Sequence, residues 1–523
     1  MSTVISASKS DDALDVLTLL ALKIAPRQFD LSYRFSNISI RDQIVRAQML
    51  IQQLLQLGAV GADADRADPH LSFDLLICGA GAAGLAAALE AERLGLRFVL
   101  MDTDARAGVG GVLRSPAARY VSAAMYEWPH SNHEDHRYPL RSAAFGASKV
   151  ALQLDMVAPL QAAQVGSAIN AAYNTEVTNW TQRALNWGTQ SYVRSESCFV
   201  RDAKLESWSK KRLQEMINGR VSVHGLPLKF RSLPALCVTS GGKMEAHRFR
   251  FVVYAMGYAK EKNQYADGKD CPVAYSNAGF WECDKILQPS LGFAHSPRVA
   301  ILGSGDGALQ DVLRCLLKAD HPLHAWEKII ANPAVAASVE ISQALRELAT
   351  FDMHATMAAT WSTSPRIFRR LDLRFAKVAK ELLASAAVSA AVTSAVQGML
   401  RSDIKEVVLI THSGYFSKAY ALNRFLVILL YMVLKKTTAG SAPCLLFRRG
   451  PVKNFSVAGH ATMQRGGALQ LTSGNEEFDL IIIRGGLKTD TLDAFPHRIG
   501  LTGRDTGRAG LGRIPLPIRP PLL

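Results

Sequence analysis

No two cysteines in this chain are spaced as Cys-x-x-Cys. The seven present (78, 198, 237, 271, 283, 315 and 444) are odd in number and scattered, a usage that points to reduced thiols in a cytoplasmic setting rather than a disulfide framework. A redox dithiol is excluded with it. Acidic residues are also short, 45 against 60 Lys and Arg, which leaves a formal net charge of +15. No Lys/Arg block, zinc-ligand spacing or aromatic RNA-binding signature accompanies the excess, so nucleic acid is not the expected partner. A positive field of this kind suits phosphate-bearing cofactors or acidic partners. Long apolar runs are missing too. The longest, Phe425–Leu434, falls short of the ~20 residues needed to cross a bilayer, so it reads as a buried helix, and no signal-peptide pattern opens the chain. His130, His133 and His136 recur on what Pro129 marks as an irregular loop without a nearby cysteine, and no metal site is expected there.

What the chain does have begins with Asp74-Leu75-Leu76-Ile77-Cys78, followed by Gly79-Ala80-Gly81-Ala82-Ala83-Gly84, a helical stretch to Gly95, and a second apolar run ending at Asp102. This is a strand, a Gly-x-Gly-x-x-Gly turn, a helix and a strand closed by an acid. Gly79 makes the tight turn, Gly81 lets backbone approach a pyrophosphate, Gly84 lets helix and strand pack closely, and Asp102 lies where an acid meets a ribose hydroxyl. A diphosphate would rest on the free amides at the start of the Leu85–Leu94 helix, with Ala82 and Ala83 of the turn beside it.

The wording Gly-Ala-Gly-Ala-Ala-Gly-Leu-Ala-Ala-Ala-Leu-Glu, then Met-Asp-Thr-Asp and Gly110-Gly111, resembles the FAD-binding start of flavoproteins with two dinucleotide-binding domains, a superfamily that includes disulfide reductases and flavin-dependent monooxygenases. The resemblance implies FAD at this first site, with Asp102 on the ADP ribose and Gly110 and Gly111 along the cofactor. Phe251-Val-Val-Tyr-Ala-Met-Gly-Tyr258 resembles the strand and Ala-Thr-Gly turn linking the two domains in that superfamily, with Met256 in the threonine position and Gly257 passing near the cofactor. A second signal, Arg298–Leu302 followed by Gly303-Ser304-Gly305-Asp306-Gly307-Ala308, resembles the NAD(P)H-binding domain of the same proteins. Alanine is allowed at the third glycine position. Asp306 complicates it, since a carboxylate there can cap a helix but also adds negative charge beside a pyrophosphate.

The expected fold class is therefore α/β: a Rossmann-type FAD-binding domain with a second Rossmann-like NAD(P)-binding domain that carries a helical insertion. Residues 1–70 read as an N-terminal helical extension whose one clear element is a helix over Ile40–Leu57, its apolar stripe buried against the flavin domain or against a second copy of the chain. Residues 71–295 read as the first part of the FAD domain and 296–450 as the NAD(P)-binding-like domain, with the insertion at 320–404. Residues 451–496 read as a return to the FAD domain and 497–523 as a flexible basic tail. His412, after the strand at 406–411, is neither the acid that favours NAD nor the arginine that favours NADP. The coenzyme is not readable.

Arg119–Leu140 concentrates aromatics, histidines and prolines without a helical or strand period. Tyr126, Trp128 and His130 are its candidates to face a flavin or substrate, and a surface loop with one tucked-in aromatic anchor is the equal alternative. No catalytic acid or base is assigned. The expectation is an FAD-dependent oxidoreductase in which NAD(P)H reduces the flavin and, with no dithiol to accept electrons, dioxygen and a small molecule receive them, as in a monooxygenase. The Phe-x-Gly-x-x-x-His signature of several such monooxygenases is absent, and Ser276–Asp284 occupies its place. Two alternatives stand: an FAD-dependent amine or amino-acid oxidase or dehydrogenase that uses no NAD(P), and a non-catalytic nucleotide-binding sensor or partner protein.

Overall fold

The computed structural model describes residues 22–25, 28–31, 40–56, 60, 73–104, 106, 108–115, 119–121, 125, 128–129, 151–152, 159–185, 196–201, 204–205, 235–240, 243–257, 261–265, 275–276, 278–361, 366–417, 419–437, 443–450, 452, 454–456, 467–471 and 474–486. Two parallel sheets organise them. In the first, strands run in the order β1 (Lys23–Ala25), β2 (Gln28–Asp30), β7 (Lys243–Tyr254), β3 (Phe73–Cys78), β4 (Phe98–Met101) and β5 (Cys198–Val200). All neighbours are parallel except β1 and β2. β3 and β4 are buried along their whole length, as a near-continuous apolar run should be when a parallel sheet is covered on both faces. At its outer end β7 also pairs antiparallel with β6 (Ala235–Ser240).

The covering helix α2 (Ala82–Arg93) is built largely of alanine, and small side chains let α1 (Ile40–Gln56) lie against it. Ile44, Ala47, Leu50 and Ile51 of α1 are fully buried in the same core as Ala86, Ala87 and Ala88, and Gln52 donates to Glu90 at 2.8 Å. The apolar stripe of α1 is thus covered within the chain, by the flavin-side helix α2. The N-terminal segment is also more than a helical extension. Gln28–Asp30 pairs in parallel with Val252–Tyr254 at the edge of the first sheet.

The second sheet has the order β10 (Cys444–Arg449), β9 (Glu406–Thr411), β8 (Arg298–Leu302), β11 (Leu480–Ile483), all parallel. After α3 (Ala162–Ala172) and α4 (Asn174–Leu185) of the first unit, helix α5 (Asp306–Leu316) follows β8, and α6 (Pro322–Ile330), α7 (Val339–Trp361), α8 (Arg366–Leu382) and α9 (Ala386–Met399) intervene before β9. Helix α10 (Ala421–Lys436) then runs through the middle of this unit's core, with Leu422, Phe425, Leu426 and Leu429 at most 1% exposed. β11 corrects the expectation that residues 451–496 return to the first unit. Its register, Val299↔Leu480 through Leu302↔Ile483, places it beside β8.

The units are joined by a buried ion cluster. Asp311, fully buried on α5, accepts from Arg119 at 2.7 Å, Arg484 at 2.7 Å and Arg314 at 3.1 Å, while Asp284 pairs with Arg119 at 2.9 Å and with Arg314 at 2.8 Å. The Arg119 guanidinium also sits 3.9 Å over the Phe280 ring. Burial raises the Asp311 carboxyl, but the charges of Arg119, Arg484 and Arg314 outweigh it and hold the group well below the usual carboxylate range.

Candidate functional site

The Gly79–Gly84 turn lies at the C-terminal end of β3. There the chain passes to β4 on one side, while β7 lies on the other, which is the switch point where open α/β sheets take ligands. Gly79 has φ +102°, and a Cβ on it would stand 2.5 Å from the Ala255 carbonyl oxygen. A Cβ on Gly84 would overlap the Gly79 carbonyl oxygen. Both glycines are therefore required by the backbone itself. Gly81 is different. A Cβ there would meet nothing within 4 Å, so the space over the start of α2 is open, and the amides of Ala82, Ala83 and Gly84 precede the first i→i−4 bond, Leu85 N–H to the Gly81 carbonyl at 2.9 Å. Openness at the middle glycine with tight contacts at the outer two fits a pyrophosphate seat.

Asp102 is half-buried beside this turn. Its Oδ2 accepts the Ala80 N–H at 2.6 Å and its Oδ1 the Asp104 N–H at 2.8 Å, so the carboxylate braces the glycine turn and keeps further lone pairs for a ribose hydroxyl. Gly110 donates to the Ala80 carbonyl at 2.7 Å, and a Cβ on it would lie 3.5 Å from Asp102 Oδ2. Gly111, with φ +64°, opens a short 3-10 turn. Arg106 and Arg114 hold the intervening loop through Asp104, whose carboxyl their hydrogen bonds keep well below its ordinary value. At the end of β7 the Ala255 N–H donates to the Cys78 carbonyl at 2.7 Å, and Met256, 43% exposed, and Gly257, with φ +73°, follow at the rim. Gly79, Gly81, Gly84, Asp102, Gly110 and Gly257 thus converge from four separate stretches of chain.

The second turn has the same plan. Gly303 has φ +150°, and a Cβ on it would overlap the Arg484 carbonyl oxygen. Gly305 caps α5, and Ala308 is buried. Asp306 faces into the protein: it accepts from the Tyr420 N–H at 3.0 Å, Asn423 at 2.6 Å and Gln310 at 2.8 Å. Burial pushes its carboxyl up and these hydrogen bonds pull it back. The residue ties α10 to α5 instead of projecting toward a phosphate. His412 is exposed just beyond β9.

Trp128 is placed elsewhere. It is 4% exposed in the core of the second unit, stacked on Phe425 at 5.6 Å and edge-on to Trp326 at 5.4 Å. The tucked-in anchor describes it, and its role as a flavin-facing ring is corrected. Tyr126 and His130 lie outside the described residues, as do His133 and His136. Among the described residues no group of His, Cys, Asp and Glu is arranged to hold a metal, and no single helix is long and apolar enough to cross a membrane. Sequence reasoning missed the ion cluster. Its one local signal is Asp311 and Arg314, two charges a helical turn apart in an otherwise apolar stretch of α5.

Residues 74–163 match the family model described as FAD binding domain. This span runs from β3 through Asp102, Gly110 and Gly111. This segment of the first unit is of the FAD-binding type. A stretch of 80 residues is 41% identical to the alpha subunit of sarcosine oxidase from Corynebacterium sp. (strain P-1), covering 15% of this chain and 8% of that protein's length. Among solved structures, a bacillithiol disulfide reductase of Bacillus cereus aligns over 82% of this chain and 81% of its own at 11% identity and a TM-score of 0.36. A steroid monooxygenase bound to NADP aligns over 80% and 72% at 12% identity and a TM-score of 0.35. A second parallel sheet, with its own strand, glycine turn and helix at Arg298–Leu316, accompanies the FAD-binding segment in this chain.

Proposed function

We propose that the protein is an FAD-dependent oxidoreductase whose flavin is reduced by NAD(P)H. The observation that supports it above others is the repetition, in one chain, of a parallel strand, a glycine turn and a helix, at Phe73–Arg93 and Arg298–Leu316. In the first unit the diphosphate of FAD would rest on the amides that follow Gly81, and Asp102 would take its ribose. The flavin supplies hydride and oxygen chemistry when bound. The chain's own part is to seat the dinucleotides on two helix N-termini and to fix the units against each other through Asp311 and its arginines. In the absence of a dithiol, electrons pass to dioxygen and a small molecule. Changing Gly305 to aspartate sets a second carboxylate at the start of α5, where a nicotinamide coenzyme's phosphates would lie. Flavin content should stay at the wild-type level while reduction by NAD(P)H slows by on the order of a hundredfold. Unchanged reduction kinetics in stopped flow would remove this turn from the electron path.

A second reading, oxidation of an amine without nicotinamide, is favoured by the short match to a sarcosine oxidase subunit and by Asp306 in the second turn. It requires an N-methyl amine such as sarcosine to reduce the flavin when no nicotinamide is added.

A further inference from the structure

On the reading of Gly303–Ala308 as the seat of a nicotinamide coenzyme, the end of β9 decides which coenzyme fits. An acid there holds a free ribose 2′-hydroxyl, whereas an arginine nearby accepts a 2′-phosphate. His412-Ser413-Gly414-Tyr415-Phe416-Ser417 follows β9 and contains no Asp, Glu or Arg. The fold brings an arginine from the neighbouring strand. The Gly303 N–H donates to the Ile410 carbonyl at 3.0 Å, and the Ser417 N–H to the Ser304 carbonyl at 2.7 Å, so the loop 412–417 leaves and returns beside the glycine turn. On the other side of β9 the Gly450 N–H donates to the Thr411 carbonyl at 3.1 Å, and the register Thr411↔Arg449 sets the last residue of β10 against the last of β9.

The Arg449 stem lies across Gly414: a Cβ on that glycine would stand 2.6 Å from Arg449 Cδ and 3.0 Å from its Nε. Gly414 has φ +72°, so the turn and the path of the arginine both use the missing side chain. The guanidinium arrives there unpaired. Arg449 is exposed, and among the described residues no carboxylate, carbonyl or ring engages its guanidinium. Its neighbour Arg448 differs, since its Nε donates to Glu476 at 2.8 Å. The acids tied to this loop are turned away from it: Asp372 accepts the Phe416 N–H at 2.7 Å and pairs with Arg424, and Asp306 accepts from the Tyr420 N–H and Asn423. His412, exposed, and Ser413, half-buried, add further donors on the same loop. A solvent-reached guanidinium with no carboxylate to neutralise it, at the strand end where the ribose of a coenzyme would lie, fits a phosphate held bidentately. We infer that the second unit selects NADPH over NADH, with Arg449 as the specificity-determining residue that receives the 2′-phosphate.

Isothermal titration calorimetry of the purified full chain, with FAD present to fill the first site, tests it with adenosine 2′,5′-bisphosphate, adenosine 3′,5′-bisphosphate and 5′-AMP. The 2′,5′ isomer should bind at least about tenfold more tightly than either of the others. The 3′,5′ isomer carries the same charge, so a positive field alone would not separate the two bisphosphates. Arg449→Gln keeps most of the stem and removes the charge. It should erase the preference while melting at the wild-type temperature, because Arg449 is exposed and its guanidinium is bonded to nothing among the described residues. Equal affinity for the two bisphosphates, no saturable heat from the 2′,5′ isomer, or a full preference in Arg449→Gln would overturn the assignment. Flavin turnover does not enter the readout. A protein that shows the Arg449-dependent preference but is bleached by neither coenzyme would sink the electron path and leave the 2′-phosphate site standing, whereas bleaching by NADH together with equal bisphosphate affinities would do the reverse.

Discussion

Gly81→Asp should yield colourless protein that melts close to the wild-type temperature. The two halves of that expectation come from one observation, that a side chain at Gly81 meets nothing within 4 Å. No packing is disturbed, so stability holds. The new carboxylate, however, stands at the helix N-terminus where a pyrophosphate would sit, and replaces an attraction by a repulsion. A loss of FAD affinity of at least about a hundredfold follows, read as flavin absorbance per chain after gel filtration. Gly84→Ala is the instructive contrast. Its Cβ would overlap the Gly79 carbonyl, so the helix must shift, at a cost of about 1–3 kcal/mol, and flavin and stability should fall together. Full flavin content in Gly81→Asp would remove the first turn as the cofactor seat.

Asp311→Ala should destabilise the chain by about 3–5 kcal/mol, the range for a buried ion pair that loses one partner. Asp311 is fully buried and is shared by Arg119, Arg314 and Arg484. Without it Arg119 and Arg314 retain Asp284, and Arg484 is left with backbone carbonyls alone among the described residues. The substitution also has a signature in pH. Because the folded-state pKa of Asp311 is depressed, its stabilisation is fully present above the unfolded value, about 3.9, and is lost as pH falls below that toward the folded value. Urea midpoints should therefore converge for wild type and variant in strong acid and separate above about pH 4. A variant within about 1 kcal/mol of wild type at neutral pH would mean that the cluster contributes specificity and little stability.

Much of the fold is legible in the sequence because glycine patterns answer to backbone sterics. Gly79 and Gly303 adopt positive φ against a neighbouring carbonyl, which few other residues tolerate, and the flanking apolar runs are buried on both faces. The α/β class, both Rossmann turns and the helical insertion follow from that. Where the signal failed, the cause is long range. Leu480–Ile483 is an apolar run that either sheet could accept, and only its register against Val299–Leu302 decides. Gln28–Asp30 is too short to carry a period. Trp128 reads equally as ligand wall or anchor until Trp326 and Phe425, far along the chain, are seen to enclose it. The candidate site is legible where backbone dictates it. Arg119, Asp284, Asp311, Arg314 and Arg484, which no spacing connects, are visible only once the two units are together.

The most direct measurement is an anaerobic titration of the purified protein with NADH and, separately, NADPH, followed by flavin absorbance. The account predicts an FAD spectrum that bleaches with one of the two coenzymes and recovers when air is admitted. A protein that carries FAD but is bleached by neither coenzyme would contradict the proposed electron path and turn the search to amines that reduce the flavin themselves.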